Sequence, residues 1–340
     1  MRYSSRFFLY APFVLLLSLA SIVMLHWWHA SNQLAKRLDA LNGHKIAPGV
    51  TLHFTSETIG GFPFRLDAMM DDLELDIATS FGPLTWRSEH FAAHMLTYGR
   101  SQQLFEAAGQ QTLSWTDAEG AHHEFAFAPG SLRASAIAAS GRLARFDLDL
   151  VGIASPEISG ARFQVHFRKA PDADALDLAL SGDELRLAPN LRAGFGDQIK
   201  RLEMEGRVAP AAPFAALLGG QGEWRAAIEG WRAHSGRFDM QNLAIKWGKL
   251  DATGSGQFSL SAAHRLAGLL SLGMTGLESL APSNPGASSK PLVAALARLY
   301  VQQSTNNSDR LPANLAFENG QVLVSRNKGT FLAGSLDPLY

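Results

Sequence analysis

The chain has 340 residues, 30 Lys and Arg against 31 Asp and Glu, and no cysteine. That balance leaves no basic surface able to displace counterions from a nucleic acid, and the missing thiols exclude disulfides, zinc–thiolate sites, iron–sulfur clusters and thiol catalysis. Beyond an apolar start, roughly 300 residues remain, enough for one large β-rich domain or two smaller ones.

Residues 7–25 carry no charge and are long enough to cross a bilayer as a helix. Their twelve Phe, Leu, Ile and Val side chains favour insertion by about 4–6 kcal/mol before the small costs of Ser18 and Ser21. Pro12 falls in the first turns, where a lost donor matters least, and Trp27-Trp28 end the run with rings suited to the headgroup layer. The competing reading is a cleaved signal peptide, with Arg2 and Arg6 as its basic start and a cut after Ala20. Against it, the apolar run continues through Ile22, Val23, Met24 and Leu25. Basic residues are matched across the span, Arg2 and Arg6 before it and Lys36 and Arg37 after it. Arg6 abuts the span and Asp39 offsets the far pair, so the amino terminus is expected inside. This gives three regions: 1–28 as cytoplasmic start and anchor, 29–45 as an amphipathic stalk helix, and 46–340 as a periplasmic β-rich domain with an internal division near 209–235 left open.

Trp27, Ser31, Leu34, Leu38 and Leu41 recur at helical spacing, and Asn42-Gly43 is a stop signal. Residues 50–54 then alternate with period two and open a sheet. The segment Gly60-Gly61-Phe62-Pro63-Phe64-Arg65-Leu66 follows. Pro63 restricts Phe62 to an extended conformation, so Phe62 and Phe64 are expected on one face of a structural corner with Arg65 pointing away. In 73–77 the apolar residues take one face while Asp72, Glu74 and Asp76 take the other, a solvated face more readily than a calcium site. Further alternating runs are expected at 84–87, 91–97, 125–127, 132–136, 146–150, 162–167, 176–180, 185–187 and 202–208, separated by Gly, Pro and Asp turns.

The period changes at 222–233, where Trp224, Ala227, Ile228 and Trp231 stand at i, i+3, i+4 and i+7, predicting a helix; 213–218 is a shorter one. Strands resume at 236–240, 243–247, 250–260 and 266–277, punctuated by glycines. Residues 282–290 are a loop, and Pro291 opens an apolar helical stripe of Leu292, Val293, Leu296, Leu299 and Tyr300 ending near Thr305. Asn319-Gly320 joins 315–318 to 321–324 as a hairpin, and a last strand is expected at 330–336. The fold class is therefore mainly β with some helix (α+β): an N-terminal transmembrane helix, then a large curved antiparallel sheet with a few covering helices.

Chemical motifs fail one by one. His90 and His94 share a face beside Glu89, but the Glu precedes the first His, the reverse of the zincin order. Asp172, Asp174 and Asp177 begin like a calcium loop, yet Leu176 takes a ligand position and the required Gly is missing. Gly248-Lys249 is followed by Leu250 rather than Ser or Thr, Gly219-Gly220-Gln221-Gly222 lacks dinucleotide spacing, and no Gly-x-Ser-x-Gly elbow exists.

The anchor, the Gly60 to Leu66 segment, Trp247-Gly248-Lys249-Leu250 with Gly254-Ser255-Gly256, and Leu311-Pro312-Ala313-Asn314-Leu315 together resemble a family of membrane-anchored envelope proteins of alphaproteobacteria. That family is catalogued only as a domain of unknown function, number twenty-one twenty-five. The end, Gly334-Ser335-Leu336-Asp337-Pro338-Leu339, matches its pattern loosely. The resemblance implies a single-pass inner-membrane anchor with the body in the periplasm, and it carries no catalytic residues. The glycine-punctuated strands are also distantly similar to envelope proteins whose curved sheets form apolar grooves for lipids, an analogy of fold alone.

The expectation is a non-enzymatic, cofactor-free membrane protein that binds lipid or another apolar envelope ligand. A scaffold for an envelope complex is the alternative, and a metal-dependent hydrolase using Glu89, His90 and His94 the third. The residues singled out are Gly61, Phe62, Pro63, Phe64 and Arg65 as a structural motif, and Arg6, Trp27 and Trp28 at the membrane interface.

Overall fold

The computed structural model describes residues 5–79, 82–98, 101–117, 120–189, 192, 195–277, 310–326 and 329–339. It opens with one continuous helix, α1, Ser5–Leu41, with Pro12 inside it. At 1.5 Å per residue the charge-free run alone spans about 28 Å, close to the hydrocarbon thickness of a bilayer. The helix is long and apolar enough to cross a membrane. It ends where Asn42 clasps the sheet, its amide donating to the Phe54 carbonyl at 3.0 Å and its side-chain oxygen accepting from the Phe54 N–H at 3.1 Å. Gly43 follows at φ +77°.

Seventeen strands come next among the described residues. They are β1 His44–Ala47, β2 Val50–His53, β3 Ser56–Gly60, β4 Arg65–Thr79, β5 Gly82–Leu96, β6 Gln102–Thr116, β7 His122–Ala139, β8 Arg142–Ala154 and β9 Ile158–Lys169. After these run β10 Leu176–Leu187, β11 Gln198–Ala209, β12 Arg237–Trp247, β13 Leu250–Leu260, β14 Leu266–Thr275, β15 Leu311–Glu318, β16 Gln321–Arg326 and β17 Gly329–Ser335. From β4 to β17 each strand pairs antiparallel with the next, a single long meander. On its other side β4 is shared: β3 pairs with its first half and β2 with its second, and β1 pairs with β2. The sheet does not close on itself.

The strands are longer than period counting predicts. The runs at 84–87 and 91–97 are one strand, β5, and those at 125–127 and 132–136 are one strand, β7, which carries Pro129 and Gly130 in its interior. Register shifts at Ser88/His90 in β5 and at Ala107/Gln111 opposite Leu132/Phe127 let the ladders continue through these breaks. The chain from Gln102 to Thr116 forms all of β6, a strand that the alternation did not announce. Gly61 to Phe64 is a turn between β3 and β4. The loop at 282–290 and the helix expected from Pro291 lie outside the described residues.

Between β11 and β12 the chain makes a helical excursion: a single 3-10 turn at Ala212–Phe214, then α2 Ala215–Leu218 and α3 Trp224–Ala233. The apolar stripe of α3 is buried through Ala227 and Trp231. The Trp231 indole donates to the Ala209 carbonyl at 3.0 Å, and its ring lies against Phe214. Gly236 lets the chain leave the helix beneath this ring, since a Cβ there would fall 2.3 Å from the indole.

The largest core lies on one face of β12 to β17, around Met274, Leu311, Leu315 and the fully buried Val324. Phe195, from the β10–β11 connection, and Leu277, after β14, pack into it. A second core joins Leu52, Phe54, Met70 and Leu73 to Leu38 of α1.

Candidate functional site

Cross-strand register places one apolar face along the meander. Met70, Phe91, Ala107, Leu132, Leu150 and Phe163 are successive partners across β4 to β9. Two residues along, a parallel row runs Ala93, Phe105, Ala134, Leu148, Val165, Leu180, Met204 and Leu243. A third row contains Ala136, Phe146, Phe167 and Leu178. Strand side chains alternate between faces, so directly paired residues share a face, and all three rows lie on the same side.

Exposure divides this face in two. Over β13 to β17 it carries the buried Ala252, Phe258, Leu270, Met274, Leu315 and Val324, whereas Phe105, Leu132, Leu148, Val165, Phe167, Leu180 and Met204 are only half-buried. An open antiparallel sheet of this width coils rather than lying flat, because each strand adds its own right-handed twist. The apolar face carries glycines where neighbours approach closely: a Cβ on Gly206 would meet the Phe238 ring at 2.4 Å, and one on Gly254 would meet the Ser271 carbonyl oxygen at 2.4 Å and Leu272 at 2.6 Å.

The opposite face is covered by ion pairs that run from strand to strand. Arg162 holds Asp149 with two hydrogen bonds, 2.7 and 2.9 Å. Asp177 accepts from Arg168 and Arg207, and Asp147 from Arg145 and His166. Glu74 pairs with Arg87, and Asp76 accepts from the Thr85 hydroxyl. These arginines hold Asp149 and Asp177 below the usual carboxylate range. At Asp147 burial pushes the other way, but the hydrogen bonds from Arg145 and His166 outweigh it. Of the carboxylates weighed as calcium ligands, Glu74 and Asp177 are thus paired with this protein's own arginines. One amphipathic sheet results, ionic outside and apolar inside.

The histidines join this ionic face. His90 Nδ1 lies 2.9 Å from an Asp71 oxygen, and His94 Nδ1 lies 2.8 Å from Asp67. Glu89 accepts from the Gln110 N–H at 2.9 Å, and its other oxygen lies 3.6 Å from His90 Nε2. Among the described residues no three His, Asp or Glu groups converge on one metal position. The arrangement supplies carboxylate–imidazole pairs rather than a metal cage.

The Gly60 to Leu66 segment sits at the end of the sheet from which α1 departs. Gly61 adopts φ +91°, and a Cβ there would stand 2.8 Å from both the Arg65 carbonyl oxygen and Asp67. Arg65 turns to Asp67, donating at 2.7 Å. Burial opposes ionisation of Asp67, yet the bonds from His94 and Arg65 outweigh it and keep its pKa low. Phe62 and Phe64 remain more than half exposed. Phe62 meets the edge of Trp27 at 5.5 Å between ring centres, and the Trp27 indole donates to the Arg65 carbonyl at 2.7 Å. Met24, Leu25, Trp27, Trp28 and Phe62 together line an open apolar pocket of about 540 Å³. Arg6 falls in the first turns of α1, and its side chain lies outside the described residues.

The features missed from sequence are the joining of the three rows into one apolar face and all of β6. For β6 the only signal is the alternation of Phe105 and Ala107 with Leu104 and Glu106, which Ala and Leu blur.

A family model described as an uncharacterized protein conserved in bacteria, DUF2125, matches residues 27–326. The chain belongs to this family. The DUF2125 match begins at Trp27, so it takes in the helix–hairpin junction and the whole meander up to β16 while leaving out the charge-free run. No curated protein and no solved structure matches the chain.

Proposed function

We propose that this DUF2125 protein is held in the bacterial inner membrane by α1, carries its sheet in the periplasm, and binds the acyl chains of a lipid or a similar apolar envelope molecule on the open part of its apolar face. It performs no chemistry on that ligand and uses no cofactor. The observation that carries the reading is the half-exposure of the rows through Leu148 and Val165, on a sheet whose opposite face is ionic. Apolar surface of this extent is costly in water, and a chain of about a dozen methylenes half-covered there gains about 5 kcal/mol at ~0.8 kcal/mol per fully buried methylene. The anchoring helix places that face beside a reservoir of such chains.

The test is a photo-crosslinking residue introduced in cells at Leu148 or Val165, compared with Gln164 on the ionic face, with adducts identified by mass spectrometry. Lipid adducts from the first two positions and none from the third support the reading. No adduct at either apolar position overturns it. A carboxyl-terminal reporter fusion, active only outside the cytoplasm, tests the orientation.

A second reading, a scaffold for an envelope complex, draws on the edge: among the described residues β17 pairs only with β16, leaving a row of backbone groups for a partner strand. Crosslinking in intact cells would then give one defined protein adduct through 329–335.

A further inference from the structure

The hairpin between β3 and β4 does not behave like an ordinary surface turn. Phe62 is 54% exposed and Phe64 59%, on either side of Pro63, and large rings are seldom left so open on a water-facing tip. The adjoining β5–β6 end adds Leu96 and Tyr98, the latter 76% exposed. The two tips are tied together, because the Thr97 N–H and hydroxyl both bond the Phe64 carbonyl, at 3.0 and 3.1 Å.

Position along α1 gives these rings their meaning. Phe62 touches Trp27 and shares a pocket with Met24 and Leu25, the last residues of the charge-free run. Trp27 stands two residues past Leu25, about 3 Å along the helix axis. A hairpin in contact with that level is therefore at the boundary of the same bilayer that the run occupies, where aromatic side chains are most favourable. Its exposed surface is continuous with the lipid-facing surface of the helix.

We infer that the Phe62-Pro63-Phe64 tip, with Tyr98 beside it, is a second membrane contact: an aromatic foot that dips into the interfacial layer and seats the end of the sheet on the bilayer. The partner is the lipid surface itself. The inference rests on α1 spanning the membrane. With α1 it makes a two-point attachment, which fixes the orientation of the sheet and brings the end of its apolar face to the lipid surface, where a single helix would leave the body free to swivel.

The chain contains no cysteine, so single-cysteine variants of the full protein take an environment-sensitive fluorophore at one known place. Four are compared in vesicles of phosphatidylethanolamine and phosphatidylglycerol bearing bromine at shallow or deep acyl positions: Phe64→Cys, Tyr98→Cys, Leu16→Cys in the span, and His122→Cys at the far end of β7. Circular dichroism first selects the variants that retain the sheet. The expected result is at least twofold quenching of the Phe64 and Tyr98 labels by shallow bromine, deep quenching at Leu16, and none at His122. Quenching at Leu16 with none at Phe64 and Tyr98 overturns the aromatic foot while leaving the anchor standing. An unquenched Leu16 label overturns the anchor, and the foot with it.

Discussion

The indole N–H of Trp27 donates to the carbonyl oxygen of Arg65 at 2.7 Å, so a residue at the end of the apolar run is bonded to the first residue of β4. The same residue pair sets the height of the β3–β4 hairpin against the helix. Replacing Trp27 with Phe keeps a ring against Phe62 and removes the donor. The expected cost is about 1 kcal/mol of docking free energy, read as faster amide exchange across 56–70 with exchange in β12 to β14 unchanged. Equal protection of 56–70 in both proteins would mean that the bond does not hold the hairpin.

Asp67 is a largely buried carboxylate placed between His94 and Arg65. Its folded pKa lies below the unfolded value, so its contribution is full above pH about 4 and is lost as pH falls through the lowered folded value. His90 runs the other way: the hydrogen bond it donates to Asp71 raises its pKa, so its contribution is present below pH about 6.5 and fades as pH rises through the folded value. Urea midpoints followed from pH 3 to 9 should therefore fall at both ends. Asp67→Asn should flatten the acid limb and cost about 1–2 kcal/mol at pH 7, discounted because the Arg65 side chain is exposed. An acid limb of unchanged steepness would remove Asp67 from the explanation.

Gly206 stands where Phe238 leans across β11, with Asp239 oxygen 3.0 Å from the place a Cβ would take. Gly206→Ala is expected to destabilise by about 1–3 kcal/mol through overpacking of the apolar face. Gly141→Ala is the comparison: its turn has φ +73° with open space around it, so only backbone strain of about 1–2 kcal/mol applies. Combining Gly206→Ala with Phe238→Leu should recover part of the loss, which thermal denaturation of the three proteins would measure. No recovery would place the strain in the backbone rather than at the ring.

Val165→Asp puts a charge on the half-exposed part of the apolar face, and Gln164→Asp puts one on the ionic face. The first is expected to lower copurifying lipid severalfold while the far-ultraviolet spectrum keeps its sheet signature, because Val165 is not fully desolvated. The second should leave lipid content unchanged. Equal lipid in both would argue that the face does not carry the ligand.

Much of this architecture was legible one segment at a time. Charge-free residues 7–25 specify a membrane-length helix whatever follows, because burying that surface in water-free surroundings needs no partner from the rest of the chain. Alternation in 146–150, 162–167 and 176–180, the Asn319-Gly320 turn and the stripe of Trp224, Ala227 and Trp231 are equally local, and each appears as strand, hairpin or helix. The stretch from Gln102 to Thr116 escaped, since Ala, Gly and Gln supply too little contrast between its faces, and only pairing with β5 and β7 on both sides makes it a strand.

What the letters alone determined is the class of most elements, β6 excepted, and the absence of thiol chemistry. Register was decided by the folded sheet, because a strand's partner is chosen by distant residues and a slip of one place would send every side chain to the other face. Only that register gathers Phe105, Leu148, Val165 and Met204 onto one side and sets their ion-paired neighbours on the other. Only the packing of α1 against β3 brings Trp27 to Phe62, two rings separated in sequence and joined at the edge of the apolar run.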